Sequence, residues 1–266
     1  MTNSLKNLTS ILLLLFLAPI VIATIQTPLV TQTQLPEEKK KEETPIVYAA
    51  QLESSPIATE ITEPKKAFVY FTHYQEAYQP ILAAKGEKVA VYHPESNITT
   101  FQEQINAQFA FHQVETEFLE NYNKQEIKEY NTIRPFVLNA LGHNKYDIIL
   151  DIHRDSMKAD VTTLKVGEES YAKFIFVIGG EHENYRWNEQ LANNLSDQLN
   201  KLVPGISRGV LVKSGKGVDG VYNQDLAKNL LVVELGGVDN NEQEINRSIA
   251  ILAKAISNMF FQPIAS

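Results

Sequence analysis

The 266-residue chain contains no cysteine, which excludes a disulfide framework, a thiolate zinc site and a cysteine nucleophile. Its formal net charge is −8 at pH 7, and the sequence after residue 66 contains no dense cluster of lysine and arginine. Because a nucleic-acid-binding protein usually presents a basic face, the sequence predicts no nucleic-acid partner. Apolar residues make up 44% of the chain, enough for the core of an ordinary soluble domain.

The N-terminus contains a long apolar run, from residue 11 to residue 25. With its flanking residues this run just reaches the roughly 18–20 residues that span a bilayer. Lys6 precedes it, which favours a cytoplasmic N-terminus and an extracytoplasmic remainder of the chain. Two interpretations stay open for residues 1–25. They form a single-pass transmembrane helix, favoured because the run continues past Ala23, or a signal segment that is cut after Ala23 and leaves a secreted protein.

Residues 26–65 have the composition of a disordered linker. Prolines are scattered along this stretch, and residues 37–43 form a block of charged side chains. Such a sequence buries too little apolar surface to offset the entropy lost on ordering. The linker would let a folded domain, predicted for residues 66–262, reach away from a membrane.

The rest of the chain alternates between strand and helix patterns. The predicted strands are residues 67–71, 89–92, 146–152, 172–178, 209–212 and 230–234. The predicted helices are residues 99–122, 125–141, 184–202 and 241–261, the last of them capped by Asn240 with Gln243. This alternation is typical of an α/β domain with three layers, in which helices cover both faces of a mostly parallel sheet.

Three of the predicted strands lead into side chains that can bind a metal ion or carry a proton. These side chains are His73, His153 and Glu234, each at or just beyond the carboxyl end of its strand. Ligands of open α/β sheets collect beyond those ends. A single histidine at a strand end is commonly structural, and a single glutamate commonly forms a salt bridge. The prediction of a site therefore depends on the three strand ends together.

Two imidazoles and a carboxylate suit Zn²⁺, which takes nitrogen and oxygen ligands in tetrahedral geometry. Glu76 follows His73 by three residues, so one helical turn would put both side chains on the same face. We predict His73, Glu76 and His153 as the metal ligands. Glu87 and Glu95 stay open as alternatives to Glu76.

Glu234 is the predicted general base of this site. A zinc ion lowers the pKa of a water that it holds to about 7. A carboxylate beside that water could accept its proton and pass it to a leaving nitrogen. The sequence therefore predicts a hydrolytic metal site.

Three motifs resemble the stage II sporulation protein P family, which is related to the zinc-dependent N-acetylmuramoyl-L-alanine amidases. They are Leu150-Asp151-Ile152-His153-Arg154-Asp155-Ser156, Gly220-Val221-Tyr222-Asn223-Gln224-Asp225, and Glu234-Leu235-Gly236-Gly237 with Asp239 and Asn240. The resemblance extends over roughly residues 67–258. It implies an amidase-like fold with bound Zn²⁺.

The resemblance also implies a cell-wall hydrolase that acts on peptidoglycan outside the cytoplasm. It would cleave the amide between N-acetylmuramic acid and L-alanine, with cleavage of peptide cross-links as a further reaction or as the only one. The family implies a part in engulfment during endospore formation, beside a partner enzyme that cleaves the glycan. By motif position, Glu234 and Arg154 would be catalytic, and Asp155 and Asn223 would bind substrate.

One residue departs from the family pattern. The family usually reads His-Thr-His before its glutamate, whereas this chain reads Phe71-Thr72-His73. If the missing histidine were essential, the protein would be a catalytically degenerate peptidoglycan-binding or scaffolding protein. Strand alternation points Phe71 and His73 the same way, but Phe71 lies deeper in the strand, where a core residue is natural, and this argues for an active site.

Overall fold

A computed structural model describes residues 63–120 and 129–261. The predicted membrane or signal segment and nearly all of the predicted linker lie outside these residues. Within the described ranges, no helix is both long and apolar enough to cross a membrane.

The described residues form eight strands and six α-helices. The strands are β1 (Lys65–Tyr70), β2 (Val114–Phe118), β3 (Ile148–Asp155), β4 (Thr163–Val166), β5 (Glu169–Ala172), β6 (Phe174–Gly179), β7 (Ser207–Lys213) and β8 (Leu230–Gly237). The helices are α1 (Gln79–Ala84), α2 (Gln102–Phe111), α3 (Tyr130–His143), α4 (Ala159–Thr162), α5 (Tyr185–Leu202) and α6 (Glu242–Phe261). Two 3-10 turns, Ile98–Phe101 and Gln224–Leu226, complete the elements.

Six strands form the main sheet in the order β2-β1-β3-β8-β6-β7, and β4 and β5 form a separate antiparallel hairpin. Neighbouring strands of the main sheet run parallel except for β6 and β8, which are antiparallel. The prediction of an α/β fold with a mostly parallel sheet is confirmed. The carboxyl ends of β1, β3 and β8 consequently share one edge of the sheet with the amino ends of β6 and β7.

Side-chain alternation along β3 divides the core into two layers. Ile148, Leu150 and Ile152 belong to a large apolar cluster that includes residues of α2, α5 and α6. Ile149 and its partner across the sheet, Leu230, pack instead with residues of α3. Because helices lie on both faces, the predicted three-layer arrangement is correct.

The two long helices of the larger layer, α5 and α6, differ in how their buried residues are distributed. In α5 the buried residues Ala192, Leu195 and Leu199 recur at intervals of three and four, which places them on one stripe. In α6 the buried residues extend around most of the helix, because α6 packs against α2, α5 and β5.

The prediction of one helix over residues 99–122 was wrong. A helix ends at Phe111, Gln113 adopts a left-handed conformation with φ of 62°, and β2 begins at Val114. Val114 and Phe118 stand four residues apart, which fits a helical stripe as well as it fits one face of a strand. The exposed Glu115 and Glu117 between them reveal period-two alternation, which favours the strand.

Two further local predictions differ from the structure. Residues 89–92 form no strand and contribute one isolated bridge, between Glu76 and Tyr92. At the start of α6, the reciprocal capping bonds join Asn241 and Glu244, one residue later than predicted. Asn240 instead accepts a hydrogen bond from the amide of Gly237 over 2.7 Å and so fixes the end of β8.

Candidate metal centre

The candidate site lies on the α3 face of the sheet, at the edge where β1, β3 and β8 end. Asp151 and His153 alternate with core residues along β3 and therefore point to the same side as Ile149. Glu234 on β8 is the register partner of His153, so the two side chains lie side by side on one face. His73 comes from the turn that follows β1.

The structure brings the three predicted ligands, His73, Glu76 and His153, together. Their ligand atoms all lie within 4.8 Å of one another. Glu76 lies between the rings: its Oε1 is 3.4 Å from Nδ1 of His73 and its Oε2 is 3.7 Å from Nδ1 of His153. Glu76 and His153 are buried, whereas His73 is half-exposed. Three donors of this kind fit a single divalent cation.

Asp151 orients His153 from the opposite side of the ring. Its Oδ1 is 3.0 Å from Nε2 of His153. The same carboxylate accepts hydrogen bonds from the amide and hydroxyl of Thr72, over 2.9 and 2.7 Å. Such a bond holds a proton on Nε2 and leaves the Nδ1 lone pair free for a cation, as carboxylates commonly do behind metal-binding histidines. Sequence reasoning missed Asp151, although a charged residue inside an apolar strand, two positions before a predicted ligand, was a usable signal.

The segment after α1 holds Glu76 in place. The amide of Ala77 donates to the carbonyl of Val91 over 3.0 Å, and the amide of His93 donates to the carbonyl of Gln75 over 2.8 Å. The amide of Arg154 donates to Oε2 of Glu76 over 2.7 Å. Glu76 is thus fixed by its backbone neighbours and by β3.

Neither alternative to Glu76 belongs to the group of ligand atoms. Glu87 accepts a hydrogen bond from the hydroxyl of Ser96 over 2.8 Å and lies 3.6 Å from Nε2 of His93. Glu95 is exposed. Among the described residues, the three-ligand cluster contains Glu76 as its carboxylate.

The two glutamates of the site differ in charge. Burial raises the pKa of Glu76, but hydrogen bonds from His153 and His73 outweigh that effect and lower it to about 2. Glu234 is partly accessible, yet its Oε2 is buried and has no hydrogen-bond partner within the described part of the chain. Burial raises the pKa of Glu234 to about 7. One carboxylate is therefore permanently charged at neutral pH, while the other can exchange a proton.

The imidazole of His153 responds to the carboxylates on both sides. Burial lowers its pKa, but the charge and hydrogen bond of Asp151, together with Glu76, raise it well above the usual value. The two carboxylates favour a positive charge at His153, which either a proton on the ring or a metal cation bound to it can supply.

The remaining predicted residues make contacts of their own. The guanidinium of Arg154 donates to the carbonyls of Val91 and Asp155 over 2.7 and 3.1 Å. Asp155 pairs with Arg208. Asn223 lies in the turn before the second 3-10 turn, with its side chain bonded to neighbouring residues. Catalytic or substrate-binding roles for Arg154, Asp155 and Asn223 stay predictions.

Phe71 lies in the core, with 1% of its surface exposed. Its ring is parallel to that of Phe118, with centroids 6.4 Å apart. It belongs to the same apolar cluster as Ala67 and Val69 of β1. The core position agrees with the predicted depth of Phe71 in the strand. The residue packs in the layer of α2, α5 and α6, however, so it does not point to the same face as the site, whereas alternation from His73 predicted that it would.

Residues 23–257 match the stage II sporulation protein P family. The chain belongs to this family. It is 35% identical over 208 residues to stage II sporulation protein P of Bacillus subtilis (strain 168), an alignment that covers 75% of this chain and 52% of that protein. The chain therefore spans about half the length of this relative.

Several solved structures are similar to the chain at low sequence identity. The N-acetylmuramoyl-L-alanine amidase from Clostridium difficile 630 has a TM-score of 0.46 at 11% identity, covering 76% of this chain and all of that one (100%). The amidase Ami1 from Mycobacterium smegmatis has a TM-score of 0.44 at 13% identity, covering 73% and 95%. A metallo-carboxypeptidase from Burkholderia cenocepacia has a TM-score of 0.46 at 11% identity, covering 75% and 58%.

Proposed function

We propose that this sporulation protein is a zinc-dependent hydrolase that cleaves the amide between N-acetylmuramic acid and L-alanine in peptidoglycan. The observation that carries the proposal is the group of His73, Glu76 and His153, whose ligand atoms lie within 4.8 Å of one another beside Glu234. Membership of the stage II sporulation protein P family supports a role during endospore formation.

His73, Glu76 and His153 would hold Zn²⁺, and Asp151 would orient His153 toward it. A bound zinc ion would supply an acidified water and polarise the carbonyl of the bond to be cleaved. The donor set fits this ion because it offers two nitrogens and one oxygen that is charged at neutral pH.

Glu234 is the proposed general base. Glu234 is the register partner of His153, and register partners on neighbouring strands lie about 5 Å apart, so Glu234 lies beside the ligand group and outside it. A carboxyl with a pKa of about 7 can accept a proton from the attacking water and then release it. The proton passes to the amide nitrogen of L-alanine as the carbon–nitrogen bond breaks, which leaves a carboxylate on the sugar and a free amine on the peptide.

The substrate fixes where such an enzyme works. Peptidoglycan lies outside the cytoplasmic membrane, so the domain is proposed to be extracytoplasmic, reached through residues 1–25 as an anchor or as a signal segment. Cleavage of peptide cross-links is a further reaction that the same site chemistry allows. A partner enzyme would cleave the glycan chains that lose their stem peptides.

Digestion of purified peptidoglycan by the zinc-loaded protein tests the proposal. Mass spectrometry should find stem peptides with a new free amine on L-alanine, and a chelator should abolish their release. New amines at cross-links alone would identify a peptidase instead. Release that a chelator leaves unchanged would refute the metal assignment.

The alternative, a degenerate peptidoglycan-binding or scaffolding protein, depends on Phe71 standing where the family usually has a histidine. Phe71 packs in the core, and His73, Glu76 and His153 come together without it, which supports the hydrolase. The alternative expects binding to peptidoglycan with no new amine, so the same digestion decides between the two.

A further inference from the structure

One side chain outside the ligand set lies against both imidazoles. Tyr130, the first residue of α3, has its ring centroid 6.0 Å from that of His153, with the planes 24° apart. Its centroid is 5.7 Å from that of His73, with the planes at 63°. Its hydroxyl lies 3.4 Å from Nε2 of His153. Tyr130 therefore lies beside both rings, in position to restrict their rotation.

Tyr130 is held in turn by residues of the turn before β8. The Nδ2 of Asn223 donates to the carbonyl of Tyr130 over 2.9 Å, and the ring of Tyr222 meets that of Tyr130 edge-on at 5.1 Å. One helical turn further along α3, Arg134 donates to Oδ1 of Asn223 over 3.1 Å and makes two hydrogen bonds to Asp225, over 2.8 and 2.6 Å. We name Arg134, Tyr222, Asn223 and Asp225 the clamp.

The backbone of the clamp is strained. Tyr222 and Asn223 are consecutive non-glycine residues with φ of 53° and 56°, in the left-handed region. Asparagine tolerates this conformation, whereas tyrosine rarely adopts it. Such strain persists where the surroundings fix the conformation, and it concentrates at functional sites. Here it lets Asn223 use both ends of its amide, one on Tyr130 and one on Arg134.

We propose that the clamp fixes Tyr130 against the imidazoles, and that Tyr130 is a positioning residue that keeps His153 with Nδ1 toward Glu76. This inference rests on the proposed metal site. Hydrogen bonds to Asp151 at Nε2 and to Glu76 at Nδ1 direct the two nitrogens of His153, but they offer little resistance to a tilt of the ring about the axis that joins those nitrogens. A flat aromatic ring packed along the imidazole removes that freedom. Asn223 accordingly acts on the site through Tyr130. Its side-chain amide already makes hydrogen bonds to Tyr130 and Arg134 in the absence of substrate.

Zinc affinity tests this inference. Two residues elsewhere in the chain, Asn229 and Tyr146, provide matched controls. Asn229 donates to the carbonyl of Tyr146 over 2.8 Å, the same bond that Asn223 makes to Tyr130. Tyr146 stacks on Phe68, on the α3 face of the sheet and outside the metal-ligand group. Tyr146→Leu and Asn229→Ala thus remove a ring and an amide of the same kinds without touching the imidazoles.

The experiment is a competition titration of the full chain against a chromophoric zinc chelator. Tyr130→Leu should weaken zinc binding about 10- to 100-fold, as loss of partners behind metal ligands commonly does. Asn223→Gly, which keeps the left-handed backbone accessible, should weaken it about 10-fold. Tyr146→Leu and Asn229→Ala should leave it within about 2-fold of wild type. Unchanged affinity in Tyr130→Leu, or an equal loss in Tyr146→Leu, overturns the inference.

A second measurement needs no zinc. Crystal structures of the zinc-free protein should show one His153 ring orientation in wild type and more than one in Tyr130→Leu. A single unchanged orientation in the variant contradicts the positioning role. If wild type bound no zinc, the proposed function would fail, and this comparison would still decide the role of Tyr130.

Discussion

The β1 end and the β8 end of the site each present a glutamate with little access to water, and the two behave in opposite ways. At the β1 end, Glu76 is surrounded by two imidazoles and the amide of Arg154, and its pKa falls to about 2. At the β8 end, the Oε2 of Glu234 has no partner among the described residues, and its pKa rises to about 7. Hydrogen-bond partners, more than burial, therefore separate a ligand-like carboxylate from a base-like one.

Glu234→Gln should produce the largest effect. The amide cannot accept the proton of the attacking water, so the release of stem peptides should fall about 1,000-fold. Zinc binding should stay within about 3-fold of wild type, a smaller loss than removal of a partner behind a ligand causes, because Glu234 lies outside the ligand group. Peptide release by mass spectrometry and a zinc titration measure both quantities. Full turnover in this variant would end the role of Glu234 as general base.

Glu76→Gln should have the reverse pattern. The variant keeps an acceptor for the amide of Arg154 but loses the charge between the two imidazoles, so zinc affinity should fall by more than about 100-fold. A chelator competition measures this loss, with Glu87→Gln as the control outside the ligand group. If Glu234→Gln lost zinc and Glu76→Gln kept it, the two roles would have to be exchanged.

The raised pKa of Glu234 should make the stability of the zinc-free protein depend on pH. The folded state favours its protonated form, so this contribution to stability is complete below about pH 4.5 and is lost as the pH rises through 7. At pH 8 the Gln variant should be more stable than wild type by on the order of 3 kcal/mol. At pH 4 the two should be equal.

Urea unfolding at pH 4, 6 and 8 measures this difference. If the difference in free energy of unfolding between the two proteins is the same at all three pH values, Glu234 ionises normally in the folded chain.

Phe71→His tests whether an added imidazole would join the ligand group of His73, Glu76 and His153. The site of Phe71 is apolar, so a histidine there should lower the free energy of unfolding by about 1–3 kcal/mol. Zinc stoichiometry should stay at one ion per chain, and Phe71→Leu is the control for lost packing. A second zinc equivalent, or tighter zinc binding, would place position 71 in the site.

The smallest expected effect is on the pH dependence of stability and comes from His112, a titratable group outside the site. It is a base that resembles Glu234 in having a buried atom without a partner in the described ranges, its Nε2. Burial lowers its pKa to about 4, so the folded state resists protonation and stability should fall as the pH drops from about 6.5 to 4. His112→Gln should flatten that fall in urea unfolding curves, and an unchanged slope would contradict the shift.

The sequence predicted that His73, Glu76 and His153 come together because their placement depends on simple geometry. Parallel strands end at one edge, so His73, His153 and Glu234 had to lie near one another once the sheet was recognised. Glu76 followed from its spacing to His73. Asp151 and Tyr130 escaped notice because their roles arise from contacts across the fold. Tyr130 falls within the predicted helix of residues 125–141, and no local pattern ties it to a turn almost a hundred residues later.

Secondary structure was predicted wrongly where the same apolar residues fit both the helical and the strand spacing. Apolar side chains four positions apart, as at Val114 and Phe118, satisfy both a helix and a strand. The left-handed Gln113 that ends the helix has no sequence signature as clear as a glycine. The edge strand β2 and the short hairpin of β4 and β5 were missed for such local reasons, whereas the buried central strands were recognised.

A crystal structure of the zinc-loaded protein, with anomalous scattering at the zinc edge, tests the central claim most directly. The account expects one ion bonded to His73, Glu76 and His153, with Glu234 beside it and outside the ligand set. An ion bonded to Glu234 with Glu76 unbound, or no ion at this edge of the sheet, would contradict the account.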